Sequence, residues 1–359
     1  MPYALNEKIR ELTPYNPISG AFRVRLDANE SYLSLPEPVL TEIQNRVSQL
    51  DFNRYPDPAA KALCRAFADY YHIDAKFVTA GNGSDELISI LANAFLMKGD
   101  TMLTAAPDFS MYQFYASISE VNCVVLEKGP ELTINVDRLI QKAKDTGAKM
   151  ILFSNPCNPT SLGLDRDQVR RLIRSVDGLV VLDEAYMDFW DQSLLSEVEQ
   201  YDNLMILRTS SKAVGCAAIR LGFAVANEKL SNALRAVKSP YNVNSFTQAA
   251  GTVLFEHKEA LEQAREQIIR QRESLYNALL AVQREFPGKY QMWKPTTNFV
   301  FVKPESPEKA KQIFQYLLEN QVAIRCMGDY LRITAGSPEE IDIFIGLWRQ
   351  WFQNEEGKQ

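Results

Sequence analysis

Histidine is scarce in this chain, which has only two, His72 and His257, among 359 residues. A zinc site rich in histidine is therefore nearly excluded, and so is acid/base chemistry that depends on several histidines. The cysteines are scattered and form no Cys-x-x-Cys pair; they are Cys64, Cys123, Cys157, Cys216 and Cys326. This pattern argues against a disulfide framework or a four-cysteine metal site, and it predicts reduced thiols in a cytosol.

The chain also lacks an excess of basic residues and any long apolar run. Lys and Arg total 39 against 45 Asp and Glu, so the net charge is −6, which argues against a general nucleic-acid-binding protein. No stretch approaches the roughly 20 apolar residues of a membrane helix. The first residues carry charges and no apolar core, unlike a signal peptide. We therefore expect a cytoplasmic protein without a membrane or nucleic-acid partner.

The chain has instead a regular alternation of short apolar runs and amphipathic stretches. The apolar runs predict strands at 77–80, 102–106, 121–126, 150–153, 179–182, 204–207 and 222–226. Helical patterns between most of them are typical of a mainly parallel sheet covered on both faces. After about Ser245, a long charged helical run at 248–284 leads into a smaller α+β region. We predict an irregular N-terminal segment (1–35) associated with the small lobe and the substrate site, a large lobe (36–244) and a small lobe (245–359).

Polar residues follow several of the predicted strands. Residues 81–84 read Gly-Asn-Gly-Ser between a strand and a helix, where free backbone N–H groups attract phosphate. Two Asn-Pro pairs form a stiff loop at 155–159, and an Asp-Glu-Ala-Tyr segment follows at 183–186. Lys212 comes after another strand, with Arg220 eight residues later. Each motif alone can be a helix cap, a connection or a solvated lysine. Because ligands collect at the carboxyl ends of parallel strands, we expect one site there.

In this order the four motifs resemble those of fold-type I pyridoxal-phosphate aminotransferases, and the resemblance covers nearly the whole chain. More narrowly, the chain resembles the histidinol-phosphate aminotransferase family in four segments: Leu-Thr-Pro-Tyr at 12–15, Leu-Asp-Ala-Asn-Glu at 26–30, Arg-Tyr-Pro-Asp at 54–57 and Tyr-Leu-Arg-Ile-Thr-Ala-Gly-Ser-Pro-Glu-Glu at 330–340. The resemblance implies an α/β fold with a mainly parallel seven-stranded sheet in the large lobe, a smaller α+β lobe, and pyridoxal 5'-phosphate as the cofactor.

The resemblance also implies the roles of the cofactor-binding residues. Lys212 forms the Schiff base with the cofactor and moves the substrate's Cα proton, so its neighbours must lower its pKa. Asp183 pairs with the pyridine nitrogen, and Asn158 and Tyr186 hydrogen-bond the ring oxygen. Phe109 stacks on the ring. The residues that hold the cofactor phosphate are Gly83, Ser84, Thr209, Ser211, Arg220 and, from the neighbouring subunit of a homodimer, Tyr55.

For the substrate, the resemblance implies that Arg332 binds the α-carboxylate. Tyr15 and Arg325 contact the substrate phosphate, and Asn29 belongs to the same substrate-binding set. The chain departs from the family pattern at 31–36, in a segment that approaches the substrate, and at Ser161, which replaces a glycine of the Asn-Pro loop. A positive φ required at position 161 would be strained in a serine.

The expected activity is amino-group transfer between glutamate or 2-oxoglutarate and a second substrate, best matched by histidinol phosphate and imidazole acetol phosphate. An aromatic amino acid aminotransferase and a phosphothreonine decarboxylase remain alternatives on the same scaffold. A more remote alternative is a non-catalytic pyridoxal-phosphate-binding regulator. Such regulators carry an added DNA-binding domain, whereas only about 35 residues precede the large lobe here, and Lys212 is intact.

Overall fold

The computed structural model describes residues 3–14 and 16–357. In this part of the chain the strands are β1 (Val24–Leu26), β2 (Val78–Gly81), β3 (Thr101–Ala106), β4 (Asn122–Glu127), β5 (Met150–Ser154), β6 (Leu179–Asp183), β7 (Leu204–Thr209), β8 (Gly222–Ala226), β9 (Tyr290–Met292), β10 (Phe299–Pro304), β11 (Val322–Met327) and β12 (Tyr330–Thr334).

The α-helices of the same residues are α1 (Glu7–Arg10), α2 (Glu37–Ser48), α3 (Lys61–Tyr71), α4 (Ser84–Ala94), α5 (Met111–Ile118), α6 (Val136–Thr146), α7 (Arg166–Ser175), α8 (Glu228–Val237), α9 (Ser245–Glu256), α10 (Lys258–Glu285), α11 (Pro307–Glu319) and α12 (Pro338–Glu356). Among the described residues, no helix combines the length and apolar character that a membrane span requires.

The larger sheet has seven strands in the order β2-β8-β7-β6-β5-β3-β4. It is parallel except for β8, which runs antiparallel to both β2 and β7. Strands β5 and β7 are buried along their whole length, with apolar clusters on both faces. Continuous burial explains why these strands read as unbroken apolar runs rather than as alternating patterns. The predicted mainly parallel seven-stranded sheet is confirmed.

The smaller sheet has the order β1-β11-β12-β10-β9 and draws on both ends of the chain. Strand β1 pairs in parallel with β11, so that Val24 lies opposite Val322. The expectation that the first 35 residues are irregular is therefore wrong at β1 and at the short helix α1. A strand of three residues is too short to show an alternating pattern, and its partner lies almost 300 positions away along the chain.

The predicted helical run at 248–284 is two helices, α9 and α10, which meet at His257. This residue leaves the helical conformation, with φ −89° and ψ 59°, and its Nε2 lies 2.8 Å from Oε2 of Glu42. Helix α10 then places Ile268 in a cluster with Tyr186, and Leu275 in the core beneath the smaller sheet. One long helix therefore packs against both parts of the fold.

The loops with polar motifs follow β2, β5, β6 and β7. These four strands point the same way, so their carboxyl ends lie along one edge of the larger sheet. Strand β12 brings Arg332 to this edge from the smaller sheet, as its contact with Asn158 shows. The expected grouping of the motifs at one sheet edge follows from this topology.

Candidate active site

Asp183, the last residue of β6, is a buried carboxylate with two neutral hydrogen-bond donors. Its side chain accepts from the hydroxyl of Tyr112 at 2.8 Å and from the backbone N–H of Ala185 at 3.1 Å. The residue is 4% exposed, and burial raises the pKa of Asp183 to about 7, against the two hydrogen bonds, which lower it. A carboxylate held in this way is suited to a cationic ligand group, because such a group would restore the ionised form.

Lys212 lies at the same edge of the sheet, in the loop after β7. Its Nζ donates to the backbone oxygen of Ala28 at 3.1 Å and lies 5.8 Å from the ring centroid of Tyr186. Burial, and then the positive charge of Arg332, lower the pKa of Lys212 to about 8. A substantial fraction of this amine is therefore neutral near physiological pH, as a nucleophile or a general base requires.

A chain of hydrogen bonds joins the N-terminal segment, the Asn-Pro loop and the smaller sheet. Asn29 donates from Nδ2 to the hydroxyl oxygen of Tyr186 at 2.8 Å. Arg332 donates from Nη1 to Oδ1 of Asn158 and from Nη2 to the backbone oxygen of Asp27, both at 2.7 Å. The guanidinium lies 5.5 Å from the ring centroid of Phe299. Both terminal nitrogens of the Arg332 guanidinium are thus held in place beside the cluster that contains Tyr186.

Asn29 has φ 54°, a left-handed conformation that asparagine tolerates better than most residues. Its backbone N–H donates to the Thr334 hydroxyl, and that hydroxyl donates to Asn29 Oδ1, each at 3.1 Å. Asn298 donates from Nδ2 to the Asn29 backbone oxygen at 3.1 Å. These bonds fix the Asn29 side chain against Tyr186, a contact that sequence reasoning did not foresee.

The turn before α4 forms an open anion-binding cradle. Gly83 has φ 83° and is the N-cap residue of α4, so no side-chain cap pairs with the first N–H groups of this helix. A Cβ on Gly83 would lie 3.0 Å from Nη2 of Arg220, and a Cβ on Gly222 would lie 2.5 Å from the backbone N of Ser84. Glycine at both positions allows the guanidinium, the helix start and β8 to approach each other this closely.

Hydroxyl groups and one acidic side chain complete this cradle. Thr209 donates from Oγ1 to Oγ of Ser211 at 3.1 Å, at the end of β7. Arg220 lies 3.6 Å from a carboxylate oxygen of Asp85. The predicted phosphate-binding residues of the large lobe, Tyr55 apart, are therefore grouped at the start of α4. The arginine there has an acidic partner that a bound anion would compete with.

Phe109 lies beside Tyr112, the residue whose hydroxyl donates to Asp183. The two ring centroids are 5.5 Å apart, in an edge-to-face arrangement. Tyr112 is the main residue that sequence reasoning missed here. It is buried, lies on α5, and supplies the hydroxyl that Asp183 accepts from. A tyrosine three residues after a phenylalanine in an apolar helix gives no sign in the sequence of where its hydroxyl points.

Ser161 does adopt a positive φ, 61°, as the glycine it replaces would allow. Its Oγ accepts from the backbone N–H of Thr296 at 2.9 Å and lies 2.7 Å from Oγ1 of Thr297. The serine side chain thus binds the loop before β10. These hydrogen bonds offset the backbone strain, which costs about 1–2 kcal/mol for a residue with a Cβ.

Tyr55 stands apart from this group. Tyr55 is 80% exposed and stacks on Tyr241, with ring centroids 4.4 Å apart. Arg325 lies on β11, directly opposite Arg332 in the antiparallel pairing with β12. Tyr15 lies outside the described residues.

The arrangement fits pyridoxal 5'-phosphate group by group. A buried carboxylate with only neutral donors suits a pyridinium cation, and a lysine of lowered pKa suits an aldehyde. The uncapped start of α4, with Arg220 beside it, suits a phosphate. These three features lie at one sheet edge, which defines the site of a fold-type I pyridoxal-phosphate enzyme.

Comparison with known proteins agrees with this class. The family model for aminotransferase class I and II matches residues 23–346. Histidinol-phosphate aminotransferase of Clostridium kluyveri is 36% identical over 344 residues, which are 94% of this chain and 96% of that protein. The chain belongs to the class I and II aminotransferases, and it is a pyridoxal-phosphate-dependent enzyme.

Solved structures share the fold at lower sequence identity. Histidinol-phosphate aminotransferase from Sinorhizobium meliloti, in complex with pyridoxal-5'-phosphate, has a TM-score of 0.87 at 19% identity and covers 98% of both chains. L-threonine-O-3-phosphate decarboxylase from Porphyromonas gingivalis has a TM-score of 0.78 at 20% identity, over 92% of this chain and 99% of that one. The same fold therefore carries more than one activity, and the fold alone does not select the substrate.

Proposed function

We propose that this aminotransferase interconverts histidinol phosphate and 2-oxoglutarate with imidazole acetol phosphate and glutamate, as a cytoplasmic homodimer in amino-acid biosynthesis. The observation that carries the proposal is the 36% identity with the Clostridium kluyveri histidinol-phosphate aminotransferase over 94% of this chain. The two substrates use the same site in turn, so each amino group passes through the cofactor.

Pyridoxal 5'-phosphate supplies, when bound, an aldehyde for the amino group and a ring that withdraws electrons from the substrate Cα. In our proposal Asp183 holds the charge of the ring nitrogen, and Asn158 and Tyr186 donate to the ring oxygen. Lys212 would hold the aldehyde group, and its Nζ would take the Cα proton of the substrate. A pKa of about 8 lets this amine both accept and return a proton near neutral pH.

Two opposed arginines support substrates that carry anionic groups. Arg325 and Arg332 are direct partners in the pairing of β11 with β12, so their side chains leave the same face of the smaller sheet. We assign Arg332 to the α-carboxylate of glutamate and, when the other substrate is bound, to the phosphate of histidinol phosphate. Arg325 is assigned to that phosphate only.

An exposed aromatic surface supports the homodimer. Tyr55 stacks on Tyr241, and Phe52 packs edge-to-face on Phe246 with ring centroids 5.3 Å apart. All four residues are exposed in the single chain. Such clusters of exposed aromatic side chains mark interaction surfaces, and a second copy would bring Tyr55 toward the neighbouring site. Sedimentation of the purified protein tests this: a stable monomer at micromolar concentration would refute the homodimer.

A panel of amino donors tests the substrate assignment. The purified enzyme, supplied with pyridoxal 5'-phosphate and 2-oxoglutarate, should form glutamate fastest with histidinol phosphate, compared with phenylalanine, tyrosine and phosphothreonine. Lys212→Ala is the matched control and should lose turnover with every donor. Faster turnover of the aromatic amino acids, or CO2 release from phosphothreonine, would replace the assignment with one of those activities. Cofactor binding without any turnover would indicate a regulator.

A further inference from the structure

Behind the cofactor site lies a buried charged pair that the proposed chemistry does not use. Lys128 follows β4 directly, and Asp108 follows β3. Their side chains are 1% and 2% exposed, and Nζ lies 3.7 Å from Oδ2. The lysine also donates to the backbone oxygen of Pro107 at 2.7 Å and to Sγ of Cys157 at 3.0 Å. A fully buried ion pair costs desolvation energy, so its presence beside a catalytic site calls for a reason.

Asp108 connects the loops on which two cofactor-binding residues lie. Its Oδ1 accepts from the backbone N–H of Phe109 at 2.8 Å and from Oγ of Ser154. Ser154 Oγ in turn accepts from the backbone N–H of Asn158 at 3.0 Å. Because Asn158 accepts from Arg332, an unbroken path of polar contacts runs from Lys128 to the arginine of the smaller sheet.

Asp108 also acts on Asp183 through its charge. Among the causes that raise the pKa of Asp183, after burial, is the negative charge of Asp108. Burial opposes the ammonium form of Lys128, yet Cys157 and Asp108 outweigh it and keep the pKa of Lys128 above its ordinary value. The lysine is therefore charged, and it offsets a carboxylate that would otherwise disfavour ionised Asp183.

We propose that Lys128 is a positioning residue for this site: it neutralises Asp108, and so holds the Phe109 and Asn158 loops together and keeps Asp183 ionised for the cofactor nitrogen. The inference rests on the proposed role of Asp183. It adds a residue that touches neither cofactor nor substrate. No motif in the sequence points to Lys128, because it stands alone after a half-buried edge strand.

A double-mutant cycle on binding of pyridoxal 5'-phosphate to the cofactor-free protein tests the proposal. The variants are Lys128→Met, Asp108→Asn and the double variant, with the exposed Lys144→Met of α6 as the matched control. In Lys128→Met, Asp108 and Asp183 become a coupled pair of buried carboxylates, whose upper titration step moves to higher pH. We expect roughly tenfold weaker cofactor binding at pH 7, and a pH midpoint for binding raised by at least about half a unit.

The double variant separates the electrostatic role from a structural one. The amide introduced by Asp108→Asn would still accept from Phe109 and Ser154 but carries no charge. Binding should therefore return to within about threefold of the parent protein, and its pH midpoint to within about a quarter of a unit. If the double variant binds as poorly as Lys128→Met, the lysine acts only through its hydrogen bonds and the proposal is overturned. Parent-like binding and midpoint in Lys128→Met would overturn it as well.

Two further readouts keep the outcome interpretable. If Lys128→Met does not fold, the double variant should still fold and bind the cofactor, because it has no uncompensated carboxylate at position 108. If neither variant folds, the proposal is overturned. A failure of the proposed role of Asp183 gives a different result from a failure of the proposed role of Lys128. If Asp183 does not pair with the cofactor, Asp183→Asn alone leaves cofactor binding and its pH midpoint unchanged.

Discussion

Asp183 should make the cofactor-free protein less stable than it would be with an uncharged residue. The structure buries this carboxyl with two neutral donors and raises its pKa to about 7. An aspartate in the unfolded chain titrates near ~3.9. The folded state therefore binds this proton more tightly than the unfolded state does. The contribution of Asp183 to the free energy of unfolding falls as the pH rises from about 4 to about 7.

The size of the effect on stability follows from the difference between the pKa values of Asp183 in the folded and unfolded states. At pH 8 the carboxyl is ionised in both states, and burying the charge costs about 4 kcal/mol, at ~1.36 kcal/mol per pH unit. At pH 5 the folded state keeps the proton, and the cost falls to about 1–2 kcal/mol. In Asp183→Asn the acceptor oxygen for Tyr112 stays and the titration disappears. The free energy of unfolding of the variant, relative to the parent, should then rise by roughly 2–3 kcal/mol between pH 5 and pH 8.

Urea unfolding of the two cofactor-free proteins at pH 5 and pH 8 measures this change directly. Any cost of the unpaired amide N–H₂ group is the same at both pH values and cancels in the comparison. Asp342→Asn, at an exposed position of α12, is the control and should show no comparable pH dependence. The free energy of unfolding of the variant minus that of the parent should be larger at pH 8. A value that is equal at the two pH values, or larger at pH 5, would refute the reasoning. With cofactor added, the parent should gain more stability than Asp183→Asn, because only the carboxylate pairs with a pyridinium.

The other predictions concern Lys212, Ser161 and the two arginines. Capture of pyridoxal 5'-phosphate by the cofactor-free protein should accelerate as the pH rises, with a midpoint at about 8, where half of Lys212 is neutral. A midpoint near ~10, the ordinary lysine value, would contradict this. Ser161→Ala should lower the unfolding free energy by about 2 kcal/mol, because the variant loses the hydrogen bonds to residues 296–297. Ser161→Gly loses the same hydrogen bonds but relieves the strain of the positive φ, so its loss should be about 1 kcal/mol smaller. Calorimetry showing the reverse order would reject the strain argument. Arg332→Ala should reduce kcat/KM for glutamate and histidinol phosphate alike by roughly 10- to 100-fold, whereas Arg325→Ala should do so for histidinol phosphate only; equal losses with glutamate in both variants would remove Arg325 from the phosphate site.

Much of the fold could be predicted because buried parallel strands leave a clear trace in the sequence. Strands β5, β6 and β7 are apolar almost throughout, and each ends in a loop of polar residues. The end of such a strand predicts where Asp183 lies without any knowledge of its neighbours. The same reasoning failed for β1, and it merged α9 with α10, because short pairings and helix breaks depend on contacts with distant segments.

The sequence by itself determined the order of the strands along the chain and the residues at their ends: a glycine turn, an Asn-Pro loop, Asp183 and Lys212. The tertiary structure alone decided the chemical state of those residues. Tyr112 approaches Asp183 from a helix 71 positions away, and Lys128 meets Asp108 across two strand ends. Burial, and then Arg332 on the other sheet, lower the pKa of Lys212. The physical reason is that chain connectivity fixes which groups exist at each strand end, whereas burial and electrostatic fields depend on distances in space that only packing sets.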